Sequence, residues 1–332
     1  MRIIHNKSIK MSERLEDFSL GKTMHSKGSL QKVGVVGCGT MGQEITVLMS
    51  QSGIEVVFID INEDRVAEVL RRIEAQLDDR ISKWGLTGGE KKLILSRIKG
   101  STDYSDLTDC EIVFETVNSK KKGTSLELRQ EIFRKIEAVV QPDAIIVSNT
   151  ATLMISEISS VLRNPQRAMG LHFFSPVGKV KIIEAVRSVY TNDETYAMVS
   201  KLALLIGKKL INVNESSGNI STRMLVPLIN EACEILMEGV ATVSDIDETM
   251  KETSGLQLGP FEMADKIGLD KVLKWMENLY VEFGETKYKP SPVLKRMVRA
   301  NLLGRRVGEG FYLYRNGRRI SKTGSITNLG RE

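Results

Sequence analysis

Cysteine and histidine are both scarce in this chain, three of each in 332 residues. Cys38, Cys110 and Cys233 lie far apart with no CxxC pair, which argues against a disulfide framework and against a zinc site. We expect no metal and a reducing, cytoplasmic setting. Two histidines, His5 and His25, fall in an unpatterned N-terminal stretch, leaving His172 as the one inside regular sequence. No apolar run approaches the roughly 18 residues that a membrane span needs. The segment Met1 to Leu30 carries charges where a secretory signal has an apolar core, so the chain is expected to be soluble, unexported and free of membrane. A block of one charge sign is missing too: 47 Lys and Arg against 42 Asp and Glu leave a net charge of +5, which does not imply a nucleic acid partner. Internal repeats and low-complexity tracts are absent.

What is present is a regular alternation. Apolar Val33 to Val36 leads to a glycine turn, a helical stretch to Gln51 and a second apolar run from Glu55 to Asp60. A long amphipathic stretch from Glu63 to Trp84 follows, then a short helix near Glu90 to Arg97, a strand at Glu111 to Glu115, a helix over Leu126 to Val140 and a strand at Ala144 to Ser148. Further strands are expected at Ala168 to Phe174, Lys181 to Val186 and Lys209 to Val213, with a helix from Asn192 to Ile206. Strands alternating with helices imply a mostly parallel sheet covered on both faces, because parallel neighbours need crossover connections. After Asn214 the apolar positions take up helical spacing (Met224, Leu225, Leu228, Ile229, Ala232, Leu236) until a final strand at Phe311 to Tyr314. The fold class is therefore α/β: a doubly wound, Rossmann-type domain followed by a mainly α-helical domain. The expected limits are a flexible extension over 1–30, the Rossmann domain over 31–214, the helical domain over 215–318 and a tail over 319–332.

The first candidate site is Gly37-Cys38-Gly39-Thr40-Met41-Gly42, a GxGxxG that follows a strand and opens a helix. Gly37 permits the tight turn, Gly39 lets the backbone approach a pyrophosphate, and Gly42 allows close packing of helix on strand. The helix start at Thr40 and Met41 offers unpaired N–H groups to the anion. Asp60 ends the second strand where a carboxylate can bond both ribose hydroxyls, and its charge favours NAD over NADP. The glycine motif alone would also suit FAD.

The second candidate site rests on His172, at the carboxyl end of the apolar strand in Gly170-Leu171-His172-Phe173-Phe174-Ser175-Pro176, where open α/β sheets bind ligands. Further along, Glu184 interrupts Ile182-Ile183-Glu184-Ala185-Val186, a strand too apolar for a carboxylate without a partner. A His–Glu pair on neighbouring strands satisfies both residues. Such a pair can take up a proton near neutral pH, where imidazole titrates and a nearby carboxylate stabilises its charged form; the plainer alternative is a buried pair that only packs the sheet.

These stretches, with Ser148-Asn149-Thr150, resemble the signature of the 3-hydroxyacyl-CoA dehydrogenase family. The resemblance runs from Lys32 to Tyr314 and includes Leu225-Val226-Pro227, Ile229-Asn230-Glu231-Ala232, Asp245-Ile246-Asp247, Leu258-Gly259-Pro260-Phe261, Leu303-Gly304-Arg305-Arg306 and Gly310-Phe311-Tyr312. It implies that His172 is the general base on the 3-hydroxyl and that Glu184 orients and supports the imidazole. It further implies Asn149 at the cofactor, Ser148, Ala151, Ser175 and Thr222 at the substrate, and a homodimer through the helical domain; Glu115 is expected beside the nicotinamide half of the cofactor from its place at a strand end. Three of these positions depart from the family: Ala151 stands for a serine, and Ser175 and Thr222 each stand for an asparagine. Thr152, beside Ala151, has a hydroxyl able to recover some of the lost polarity. The Ser119 to Thr124 segment, with Lys120, Lys121 and Lys122, departs as well, and Asn219 replaces an apolar or aromatic residue. The implied activity is NAD-dependent oxidation of a short-chain (S)-3-hydroxyacyl-CoA, with 3-hydroxybutyryl-CoA as the default because no fused hydratase domain is seen. The alternatives are a dehydrogenase of a polar or carrier-bound hydroxyacyl group, or a dinucleotide-binding protein without turnover.

Overall fold

In the computed structural model, residues 30–118 and 125–323 are described. The first unit runs β1 (Lys32–Val36), α1 (Thr40–Gln51), β2 (Glu55–Ile59), α2 (Glu63–Ser82), α3 (Gly88–Ser96), β3 (Ile98–Ser101), β4 (Ile112–Glu115), α4 (Ser125–Glu137), β5 (Ile145–Ser148), α5 (Ile155–Ser159) and β6 (Ala168–His172). It closes with β7 (Ile182–Arg187), α6 (Asp193–Leu205) and β8 (Lys209–Asn214). The eight strands form one sheet in the order β3-β2-β1-β4-β5-β6-β7-β8. Every neighbouring pair is parallel except β6 and β7. β4 and β5 are buried along their whole length, as expected of continuous apolar runs covered on both faces. One face packs Val33, Val35, Phe58, Phe114 and Phe173 against α1 and α2, and the other packs Val113, Ile146 and Ala168 against α4 and α5. The strand order reverses between β1 and β4, and the crevice beyond the carboxyl ends of such strands is where this class of sheet takes its ligands.

Two elements of this unit escape the periodicity of the sequence. β3 is short and half polar, and it exists because β2 offers an edge: Val56 to Ile59 pair with Ile98 to Ser101. Gly100 is required in it, since a Cβ there would lie 2.5 Å from Val66 and 2.6 Å from Phe58. α5 is a single short turn over five residues, too brief to show a period.

The second unit holds α7 (Ser221–Met237), α8 (Val243–Ser254), α9 (Pro260–Ile267), α10 (Leu269–Phe283) and α11 (Pro292–Arg299), followed by β9 (Tyr312–Arg315) and β10 (Arg318–Thr323). It has its own core, with Val226, Ile229, Phe261, Met276, Leu294 and Phe311 among its buried members. Residues from 319, read from the sequence as a tail, open instead with β10. Its signal is the turn dipeptide: Asn316 and Gly317 both take positive φ, 50° and 68°, the backbone of a tight hairpin turn. None of the described helices is long and apolar enough to cross a membrane.

Candidate active site

At the β1–α1 turn each glycine has a different steric reason. Gly37 takes φ +86°, and a Cβ there would lie 2.4 Å from Val117. A Cβ on Gly42 would lie 2.5 Å from the Gly37 carbonyl oxygen, whereas one on Gly39 would meet nothing within 4 Å. Space therefore opens directly over the turn at Gly39. This residue is also the cap of α1 and has no side chain to bond the helix start, so the first-turn amides of Thr40, Met41 and Gly42 point a positive dipole end into that space. Asp60 follows β2 and is held by the amides of Cys38 (3.1 Å) and Ile61 (2.8 Å). Arg65 on α2, which sequence reading passes over, brings its Nε to 3.6 Å from the same carboxylate. An open cradle lined by amides, with a fixed carboxylate at its side, fits the pyrophosphate and ribose of a dinucleotide. Burial pushes the Cys38 thiol in this turn up to about 12, which leaves it an inert packing group.

The next strand ends carry a buried polar knot. Glu115 is fully buried and accepts from the Val117 amide (2.6 Å), from Ser148 Oγ (2.6 Å) and from the guanidinium of Arg129 on α4. The Ser148 hydroxyl thus donates its hydrogen bond to Glu115. Asn149 joins two strand ends, its Oδ1 accepting from the Phe173 amide at 2.9 Å. Arg129 is a second residue that sequence reading misses, because a lone basic residue on a helix resembles a solvated surface position. The segment with Lys120, Lys121 and Lys122 lies outside the described residues.

His172 and Glu184 face each other directly. The antiparallel register of β6 and β7 pairs the two residues, which places both side chains on one face of the sheet. Nδ1 of His172 is 2.8 Å from Oε2 of Glu184; the residues are 7% and 3% exposed. The ring also packs against Phe174, with centroids 4.7 Å apart. The other oxygen of Glu184 accepts from the backbone amide of Ser221 at 2.8 Å, and Ser221 Oγ lies 3.3 Å from Oε2. Burial pushes the Glu184 carboxyl up, but the bonds from His172 and Ser221 outweigh it, so the group ends below the usual carboxylate range. The same carboxylate caps α7, whose own cap residue, Ile220, offers no side-chain oxygen.

The remaining predicted positions are dispersed around this pair. Beside Ala151, Thr152 accepts from Asn278 Nδ2 of α10 at 2.8 Å, and its carbonyl accepts from Ser217 Oγ at 2.6 Å. Its hydroxyl therefore serves the contact with the helical unit. Ser175 donates to Glu44 of α1 at 2.7 Å. Thr222 is 1% exposed and its Oγ1 has no hydrogen-bond partner. Asn219 takes a left-handed φ of 49°, a conformation asparagine tolerates better than an apolar residue does.

Comparison with known proteins converges on one family. Residues 32–216 match the profile described as 3-hydroxyacyl-CoA dehydrogenase, NAD binding domain, and residues 218–314 match that of the C-terminal domain of the same enzymes. A probable 3-hydroxybutyryl-CoA dehydrogenase of Deinococcus radiodurans is 37% identical over 283 residues, covering 85% of this chain and all of that protein (100%). The 3-hydroxybutyryl-CoA dehydrogenase of Bradyrhizobium diazoefficiens is 35% identical over 291 residues, 88% of this chain and 98% of its own. Among solved structures, (S)-3-hydroxybutyryl-CoA dehydrogenase PaaH1 from Ralstonia eutropha superposes with a TM-score of 0.78 at 39% identity, covering 87% of this chain and 100% of its own. FadB2 of M. tuberculosis superposes with a TM-score of 0.83 at 33% identity, covering 86% and 100%.

Proposed function

The chain belongs to the 3-hydroxyacyl-CoA dehydrogenase family, and from that premise we propose that it catalyses the reversible NAD-dependent oxidation of a short-chain (S)-3-hydroxyacyl-CoA to the 3-ketoacyl-CoA. The working pair is 3-hydroxybutyryl-CoA and acetoacetyl-CoA, the substrates after which its relatives are named. The observation that carries the reading is the His172–Glu184 bond at 2.8 Å. With Glu184 ionised, the proton of the neutral imidazole sits on Nδ1 and the lone pair on Nε2. That nitrogen takes the proton of the 3-hydroxyl, and the Glu184 carboxylate stabilises the imidazolium that results. In the reverse direction the imidazolium returns the proton to the ketone oxygen. NAD, when bound, supplies the hydride acceptor. Gly37, Gly39, Asp60 and the amides of Thr40, Met41 and Gly42 would hold it, with Glu115 and Asn149 at the neighbouring strand ends. On the substrate side the unpartnered Thr222 hydroxyl is suited to a substrate oxygen, Ser148 and Ser175 act through Glu115 and Glu44, and Ala151 contributes shape but no donor.

The cofactor unit then covers residues 31–214 and the substrate unit residues 215–318. The reading includes a homodimer through the helical unit and a cytoplasmic location, the latter supported by three free, buried cysteines. A more polar or carrier-bound hydroxyacyl substrate is favoured by one observation, the buried unpartnered hydroxyl of Thr222. The test is NADH oxidation with acetoacetyl-CoA by wild type and His172→Gln. The variant is expected to lose about a hundredfold or more in kcat while binding NADH as wild type does. Equal turnover in the two proteins would remove His172 from the reaction.

A further inference from the structure

The loop from Phe173 to Lys181 joins the strands that carry His172 and Glu184, and two charged side chains from other elements grip it. Glu44, in the second turn of α1, accepts Ser175 Oγ at 2.7 Å with one oxygen and the Val177 amide at 2.5 Å with the other. Lys208, buried just before β8, donates to the carbonyls of Val177 and Val180. Val177 is itself buried, so its amide and its carbonyl are both bonded by ionic groups, of opposite sign. Hydrogen bonds to charged groups are roughly twice as strong as neutral ones. The loop also sets the pairing of β6 with β7, and a one-residue slip there would turn Glu184 to the opposite face of the sheet.

We propose that Glu44 is a positioning residue: through Ser175 and Val177 it ties the loop behind His172 to α1. The amino terminus of that helix faces the cofactor cradle, so base and cofactor share one mount. Lys208 holds the same loop from the β8 side and keeps it from following α1 alone. For its effect on turnover the inference rests on the dehydrogenase reading; for the clamp it does not. A misplacement of about an ångström in a reacting group can cost about a hundredfold in rate, so a loosened loop has room to matter.

The test compares wild type, Glu44→Ala and Glu44→Gln in the full chain by amide hydrogen exchange over residues 173–181, NADH affinity by fluorescence titration, and kcat with acetoacetyl-CoA. In Glu44→Ala the loop amides are expected to exchange faster while β1 does not change. Its kcat is expected to fall about tenfold or more, with NADH affinity within about twofold of wild type. Glu44→Gln, which keeps an acceptor for the Val177 amide, is expected to recover most of both losses. Unchanged loop exchange in Glu44→Ala overturns the clamp. Parallel loss of NADH affinity and kcat in both variants overturns it as well, making Glu44 a support of α1 alone. Absence of turnover in wild type would sink the dehydrogenase reading, and loop exchange would then decide the clamp by itself.

Discussion

Thr222 isolates what one residue contributes to a site. A buried hydroxyl without a partner costs a protein about 1–3 kcal/mol, and Thr222 Oγ1 stands in that state at the start of α7, beside the residue that bonds Glu184. Such a cost persists where a ligand repays it. Valine has nearly the same shape and no hydroxyl, so Thr222→Val is expected to unfold at an equal or higher temperature, gaining on the order of 1 kcal/mol, while kcat/KM for acetoacetyl-CoA drops about tenfold. Thermal denaturation and steady-state kinetics on one preparation check both halves. A fall in stability would mean that the hydroxyl is satisfied in the free protein. At this scale the sequence is legible where residue type and position conflict. A histidine closing an apolar strand and a glutamate inside another stand out because neither belongs there alone, and the same holds for the three glycines of the turn. Glu44, Arg65, Arg129, Lys208 and Ser221 do not stand out: polar residues on helices and at their ends are ordinary, and only the fold shows that these turn inward.

Elements show the same limit in another form. α9 begins at Pro260, and its first free amides, Phe261 and Glu262, donate to the carboxylate of Asp247 on α8 at 2.8 and 2.9 Å. The Tyr312 hydroxyl completes that carboxylate at 3.0 Å. One side chain of α8 thereby caps α9 and reaches β9. The Leu258-Gly259-Pro260-Phe261 motif then has a physical reason, because a Cβ on Gly259 would lie 2.3 Å from Asp247 Cγ and 2.4 Å from its Cα. The near atoms include backbone, which cannot swing away. Gly259→Ala is expected to destabilise the protein by about 1–3 kcal/mol, the usual range for overpacking, seen as a lower urea midpoint at unchanged slope. A midpoint equal to that of wild type would show that α8 and α9 separate at little cost. From sequence alone the long amphipathic helices and the apolar strands are readable, since both have many residues in phase. β3 and α5 are too short for a period, and β10 is betrayed only by its Asn316-Gly317 turn.

At the scale of the whole molecule, the two units have separate cores but share the site. Asn278 and Ser217 bond Thr152, Lys274 of α10 donates to Ser125 of α4 at 2.5 Å, and Ser221 bonds Glu184. Seating of the helical unit is thus read directly by the carboxylate beside His172, and anything that braces that unit also braces the His172–Glu184 pair. A second copy of the chain is such a brace in our proposal. The helical unit leaves Met224 on α7 71% exposed, with Ile220 one turn earlier at 49%, and Val281 on α10 at 85%. Apolar side chains repeated along exposed helix faces are what an association surface presents before it is covered. Sedimentation equilibrium of the wild type is expected to give twice the chain mass. Met224→Lys, which places a charge in that face without touching either core, is expected to shift the mass toward that of one chain while the far-ultraviolet dichroism stays the same. Because α7 begins at the amide that holds Glu184, the dissociated variant should also turn over acetoacetyl-CoA more slowly than the dimer. A wild type that sediments as a single chain at micromolar concentration would refute the dimer and leave those apolar side chains without a role.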